Sequence, residues 1–377
     1  MTRCDLFCNI IDNYGDIGVC WRLARQLAAE HGVKVTLWVN DLGTFARIAP
    51  ALDPLLPWQA LGDITVCHWA ADGTMTDPGD LVIEGFGCAL PLDFLHAMST
   101  RQPAPVWLNL EYLSAEGWVE DCHGLPSRHP TSGLTQHFWF PGFTPRTGGL
   151  MRESGLLERR DTFQASAEAQ SHFWSGLGLP EAMGMGRRLS LFAYENPAID
   201  DLLTALAADD TSSLLIVPVG RALPDIARWA GVATLQTGDR VQKGALSIAI
   251  LALLDTDDYD RLLWACDLNA VRGEDSFVRA QWADRPLLWH IYPQEDDTHR
   301  VKLEAFIHQV SQHSPMPALW TEAMRAWNAP PKPTNPWPAL LADLPLLRSV
   351  CRIWTARLAK QQDLTTGLMH FYHSQVE

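Results

Sequence analysis

Short apolar runs, turn-rich loops and amphipathic stretches alternate along this chain. Residues 5–11 (DLFCNII) form an apolar run suited to a buried strand, and 12–18 (DNYGDIG) form a turn-rich loop. Residues 19–30 (VCWRLARQLAAE) follow as an amphipathic helix stopped by Gly32, and 34–39 (KVTLWV) as a second strand. Strand, loop, helix and strand in so short a span make a βαβ unit, which implies a parallel sheet and a right-handed crossover. Further strands are predicted at 64–69, 81–86 and 106–112, with a helix near 92–98.

The pattern changes over 161–187. A polar helical stretch there runs into GLGLPEAMGMGRR, rich in Gly, Pro and Met, which reads as a linker. Alternation then restarts, with strands at 189–194, 213–219, 246–254, 267–271 and 287–292. The intervening helices fall at 199–208, 258–266, from 276, and at 301–311. A proline-rich break at 329–338 precedes a helical tail over 340–375. The expected architecture is α/β. Residues 1–160 form an N-terminal Rossmann-like domain, completed by the C-terminal helix at about 355–377; 161–187 form a linker; 188–354 form a second Rossmann-like domain. Two such domains facing each other across a cleft are the GT-B plan of nucleotide-sugar glycosyltransferases.

Composition narrows the function. With 29 Lys plus Arg against 44 Asp plus Glu, the net charge is −15, which argues against nucleic-acid or anionic-lipid partners. The longest apolar runs, such as 245–254, fall short of the ~20 residues that span a bilayer. Acidic residues interrupt any signal-peptide core at the N-terminus, so a cytoplasmic location is expected. The eight cysteines contain no CxxC and read as reduced, largely buried thiols; the histidines show no metal-binding spacing.

Open α/β sheets bind ligands beyond the carboxyl ends of their strands. The first such loop carries Asp12 and Asp16 where a dinucleotide-binding protein would need GxGxxG, so anionic side chains stand where a pyrophosphate would lie. One carboxylate suffices to cap the following helix; two leave acid–base work open. A second candidate is RGEDS, Arg272–Gly273–Glu274–Asp275–Ser276. Ser276 suits an N-cap, free amides at the helix start make an anion site, and Arg272 adds a cation with bidentate geometry. Glu274 suits the hydroxyls of a ribose or sugar. The plainer alternative is a capped helix with a surface Arg–Glu pair. The cluster Asp255, Asp257, Asp258 and Asp260 contains D-x-D spacing twice, the metal site of other glycosyltransferases, yet it also opens a helix where first-turn carboxylates are ordinary. Glu111 and Tyr112 end one strand, and Phe192 and Tyr194 end another.

These loops resemble a known family: EarP, the protein-arginine rhamnosyltransferases that modify elongation factor P. The likeness lies in IIDNYGDIGVCWRLARQLA, in NLEYLSAEGWVE and in YDRLLWACDLNAVRGEDSFVRAQWADRPLLWHIY, which together span both domains. It implies dTDP-β-L-rhamnose as donor, an arginine of elongation factor P as acceptor, inversion at the anomeric carbon, and neither cofactor nor metal. It places activity on Asp12, Asp16 and Glu274, and donor binding on Phe192, Tyr194, Tyr259, Arg272, Glu274, Asp275 and Ser276. Acceptor binding falls on Asp12, Asp16 and Glu111. The family's base pocket uses Phe, Gln and Phe spaced by three. This chain has Leu253, Thr256 and Tyr259 there, so only Tyr259 carries over. Two other functions remain open beside this one: a metal-dependent glycosyltransferase acting on a glycan or lipid, and a non-catalytic module that grips elongation factor P.

Overall fold

The structure is a computed structural model that describes residues 1–11, 14–69, 77–293, 298–329 and 335–376. The chain divides into two compact units. The first comprises Met1–Ser154 and the chain from Ala359 onward, the second Gly155–Leu358.

In the first unit eight strands make one sheet: β1 (Arg3–Cys8), β2 (Lys34–Val39), β3 (Trp58–Leu61), β4 (Ile64–His68), β5 (Leu81–Gly85), β6 (Val106–Leu110), β7 (Pro126–Arg128) and β8 (Thr135–Trp139). Their order is β3-β4-β2-β1-β5-β6-β8-β7, parallel except for the edge strands β3 and β7. Strand β1 is apolar because neighbours flank it on both sides and layers cover both faces. Cys8 stands opposite Val39 in β2 and opposite Gly85 in β5. The chain leaves β1 where the sheet order reverses, with β2 on one side and β5 on the other. That is where open α/β sheets form a crevice.

The second unit repeats the plan with β9 (Arg187–Leu191), β10 (Ser213–Pro218), β11 (Arg240–Lys243), β12 (Leu246–Leu251), β13 (Leu268–Arg272) and β14 (Leu287–His290). The order is β11-β12-β10-β9-β13-β14, with only β11 antiparallel. Here the reversal lies between β9 and β13.

Three sequence expectations need correction. Residues 161–187 are not a bare linker. Helices Leu156–Ala165 and Ala167–Gly176 belong to the second unit: Phe163 packs against Trp264, and Gln164 Nε2 donates to the Trp264 and Ala283 carbonyls at 3.1 and 2.9 Å. The aromatic residues there seal a core, and the Gly/Pro/Met-rich part merely follows them. The first helix spans Gly15–His31, beginning four residues before the predicted 19, and β1 ends at Cys8 rather than 11 because neither neighbour extends further. Last, the tail is broken into Leu344–Leu358 and Leu364–Val376. The second of these packs into the first unit's core through Leu364, Leu368, Met369 and Tyr372. Thr365 Oγ1 donates to Gln26 Oε1 at 2.7 Å.

One buried ion pair fixes the second unit's helices. The Arg279 guanidinium donates to both oxygens of Asp260, at 2.9 and 2.6 Å, and both side chains are buried. Removing one partner strands the other charge in a dry interior. Arg279→Ala should therefore cost about 3–5 kcal/mol in denaturant unfolding. Arg261→Ala, which breaks the exposed pair with Asp258, should cost less than about 1 kcal/mol.

Candidate active site

In the first unit the early start of helix Gly15–His31 puts Asp16 in its first turn, buried to 2% exposure at the end of β1. The Ile11 amide donates to Asp16 Oδ2 at 2.8 Å, and the Tyr112 hydroxyl donates to Oδ1 at 3.2 Å. Asp16 thus holds the loop but is not the cap that was expected: Tyr14 takes the N-cap position with no side-chain cap bond, and Asp16 meets the helix as a first-turn carboxylate. Asp12 lies outside the described residues. Glu111 follows β6, receiving Asn109 Nδ2 at 2.8 Å. Burial, then the nearby Glu84 charge, raises the Glu111 pKa above the usual carboxylate range. Burial raises that of Glu84 too, against the hydrogen bonds it accepts. The end of this sheet is therefore an acidic, partly desolvated surface on which an arriving cation would be stabilised.

In the second unit β9 stops at Leu191, so Phe192 and Tyr194 belong to the loop beyond it. The Arg272 guanidinium, at the end of β13, lies over both rings, 4.5 Å from the Phe192 centroid and 4.6 Å from that of Tyr194. Arg272 is 5% exposed, and its Nη1 has no hydrogen-bond partner among the described residues. Stacking on two rings keeps a desolvated cation tolerable while leaving donors for an anion. Tyr259 meets Phe192 edge-on at 6.0 Å, and burial pushes its phenol pKa upward.

Ser276 is not the cap that was expected. Glu274 occupies the N-cap position of helix Asp275–Trp282, and the Ser276 hydroxyl turns back on the chain. It accepts from the Arg272 amide at 3.0 Å and donates to the Arg272 carbonyl at 2.5 Å. Gly273, at φ +56°, makes the turn tight enough for that reach. Trp289 braces it, donating from Nε1 to the Gly273 carbonyl at 2.8 Å while stacking on Phe277 at 3.8 Å. The hydroxyl of Ser276 therefore shapes the loop, and what remains for an anion is the helix's first amides, which have no intrahelical acceptor.

Three of the four carboxylates in the D-x-D cluster are engaged within the helix and its neighbours. Asp255 caps helix Thr256–Ala265, accepting from the amides of Asp257 and Asp258 at 3.0 and 2.8 Å. Asp258 pairs with Arg261 and Asp260 with Arg279. The helix-opening reading of this cluster is the one the structure supports.

Sequence reasoning missed four residues clustered around Tyr194: Arg221, Glu195, His290 and Tyr292. Arg221, just beyond β10, lies 5.3 Å from the Tyr194 ring and pairs with Glu195 at 2.8 Å. His290 and Tyr292, at the end of β14, meet Tyr194 edge-on at 5.3 and 5.4 Å. Their position past strand ends beside the sheet's reversal point was the signal that could have found them.

Two Rossmann-like units in one chain, each with charged loops at its reversal point, have the GT-B architecture of many glycosyltransferases. An α-glucosyltransferase solved with UDP and DNA shares the fold at TM-score 0.52 and 9% identity over all of both chains. Residues 4–373 match the family model of the elongation-factor P (EF-P) rhamnosyltransferase EarP, and the chain belongs to that family. Protein-arginine rhamnosyltransferases of Pseudomonas putida and Pseudomonas aeruginosa are each 50% identical to it, the first over 98% and the second over 99% of both chains. A solved structure described as the structural basis for EarP-mediated arginine glycosylation of translation elongation factor EF-P matches at TM-score 0.70 and 38% identity, over 99% of each chain.

Burial, then the Arg272 charge, lowers the His290 pKa from 6.5 to about 4. The unfolded chain takes up that proton between those values and the folded chain does not, so stability falls as pH drops through this window. Replacing His290 with Asn should remove on the order of 3 kcal/mol of the wild type's stability loss between pH 6.5 and 4, read by denaturant unfolding at each pH.

Proposed function

We propose that this chain transfers L-rhamnose from dTDP-β-L-rhamnose to an arginine side chain of elongation factor P, with inversion and without a metal. The observation that carries the donor half is Arg272, a buried guanidinium whose Nη1 has no partner among the described residues, set beside a helix N-terminus and among aromatic rings. A cation and a row of amides suit a diphosphate, and the rings suit a base or sugar face. Glu274 and Asp275 open the same helix, and Glu274 is suited to the hydroxyls of the sugar. Family membership supplies the rest of the support.

The chemistry asked of the acceptor half is demanding. A guanidinium has a pKa above ~12, so almost none is neutral at cellular pH. Asp12, Asp16 and Glu111 would pair with the cation and draw its charge from one nitrogen. That nitrogen attacks the anomeric carbon opposite the diphosphate, forming the N–C bond as the C–O bond to dTDP breaks. The nitrogen's proton passes to Asp16, and the leaving diphosphate's charge is met by Arg272 and the helix amides. These groups do the work a metal would do, and three of the four carboxylates of the D-x-D segment, those of Asp255, Asp258 and Asp260, are already committed to a cap and two ion pairs.

Incubation of purified elongation factor P with this protein and dTDP-rhamnose should add one deoxyhexose to an arginine, seen by intact-mass and fragment spectrometry. The rate should be indifferent to EDTA, and an unchanged mass would refute the assignment. Asp16→Asn should lower kcat about 10²–10⁴-fold, the usual worth of a general base, with dTDP affinity unaltered. Arg272→Ala should weaken dTDP binding by roughly 10–150-fold in calorimetry, the loss of a charge-assisted contact.

A further inference from the structure

The loop after β5 adopts a backbone that its sequence does not favour. Phe86 and Ala89 have φ of 59° and 56°, and Gly87 between them 63°. Left-handed backbone at two non-glycine residues persists only where the surroundings impose it. Here they do so at each amide. Phe86 N donates to the Leu110 carbonyl at 2.7 Å, Gly87 N to Asn109 Oδ1 at 3.1 Å, and Ala89 N to Glu84 Oε1 at 2.8 Å. Gln136 Nε2 holds the second Glu84 oxygen at 2.7 Å. Gly85 is equally constrained, since a Cβ there would stand 2.7 Å from the Phe7 carbonyl oxygen and 3.1 Å from Cys20 Sγ.

All this anchorage presents one side chain. The Phe86 ring lies flat on Tyr112, centroids 4.4 Å apart and planes 18° apart. Tyr112 is 39% exposed, so without that stack its ring would be free to change rotamer. Its hydroxyl donates to Asp16 Oδ1 at 3.2 Å, while the Ile11 amide takes Oδ2. With both oxygens engaged, the carboxylate plane is set. Asn109, which holds the loop at Gly87, also donates to Glu111. One anchored loop thus reaches both acidic groups at this end of the sheet.

We propose that Phe86 is a positioning residue for rhamnosyl transfer, stacking Tyr112 so that its hydroxyl aims the Asp16 carboxylate at the acceptor nitrogen. The inference rests on the function proposed above. Phe86→Leu keeps apolar bulk and removes the aromatic face; it should lower kcat about 10–100-fold, the penalty of a misplaced catalytic group, with KM for dTDP-rhamnose unchanged. Phe86→Tyr, which keeps the ring, should recover most of that rate. Tyr112→Phe keeps the stack but loses the hydroxyl bond, so it should slow kcat as Phe86→Leu does. Adding Phe86→Leu to it should then cost less than about threefold more, because both act through one contact. A full rate in Tyr112→Phe, or an undiminished Phe86→Leu effect in that background, would overturn the proposal. Should Phe86→Leu not fold, the Tyr112→Phe rate decides alone. If the wild type transfers no rhamnose, the function fails first. The positioning claim is then judged by a crystal structure of Phe86→Leu, which refutes it if Tyr112 still holds Asp16.

Discussion

Keeping a guanidinium charged inside an aromatic pocket is the constraint around which the second unit is arranged. Arg272 ends a buried strand, so its side chain leaves the sheet into a region with little water. A bare cation there would be costly, and two ring faces with an unusually tight turn are what make it bearable. The turn in turn depends on Ser276 closing back on Arg272 and on Trp289 reaching Gly273. Burial, helped by the same cation, keeps His290 neutral, so the histidine adds no positive charge beside Tyr194. The Arg272 guanidinium is thus held in place beside a helix start, an arrangement that favours an anion.

The first unit solves the opposite problem. Its sheet end gathers acids, and the raised pKa values of Glu84 and Glu111 record the cost of keeping carboxylates close and partly dry. Hydrogen bonds from Asn109, Gln136 and the Ala89 amide offset part of that cost and hold the groups in place. Such a surface favours a cationic ligand over an anionic one. The two units thus differ in the charge they hold at their sheet ends, a cation in one and acids in the other.

Much of this was legible in the chain because apolar runs of strand length leave few alternatives. The parallel strands, both reversal-point loops, Asp16, Glu111, Arg272 and the aromatic pair Phe192 and Tyr194 all follow from strand ends and loop composition. What escaped notice has physical reasons. Short edge strands such as β7 (PSR) and β11 (RVQK) bury too little to carry an apolar signature. Residues 161–187 combine helix formers with glycine and proline, and only tertiary contact at Phe163 and Gln164 shows that the segment is packed rather than spanning a gap. Ser276 carries the residue type of a cap but sits two positions past the N-cap, because Gly273 folds the chain before the helix begins.

The left-handed loop at Phe86 is the least legible feature of all, and the reason bears on function. Local propensity favours extended or helical backbone for phenylalanine and alanine, so nothing in EGFGCAL announces φ near +60° at residues 86 and 89. The conformation comes from residues distant in sequence: Asn109, Leu110 and, through Glu84, Gln136. A conflict between local preference and imposed geometry survives where the imposed geometry has a use. The one outward consequence of this conflict is the ring laid on Tyr112, and the next contact along is Asp16. The strained loop and the Asp16 carboxylate are therefore two ends of one hydrogen-bonded and stacked path, joined by contacts between residues far apart in the chain.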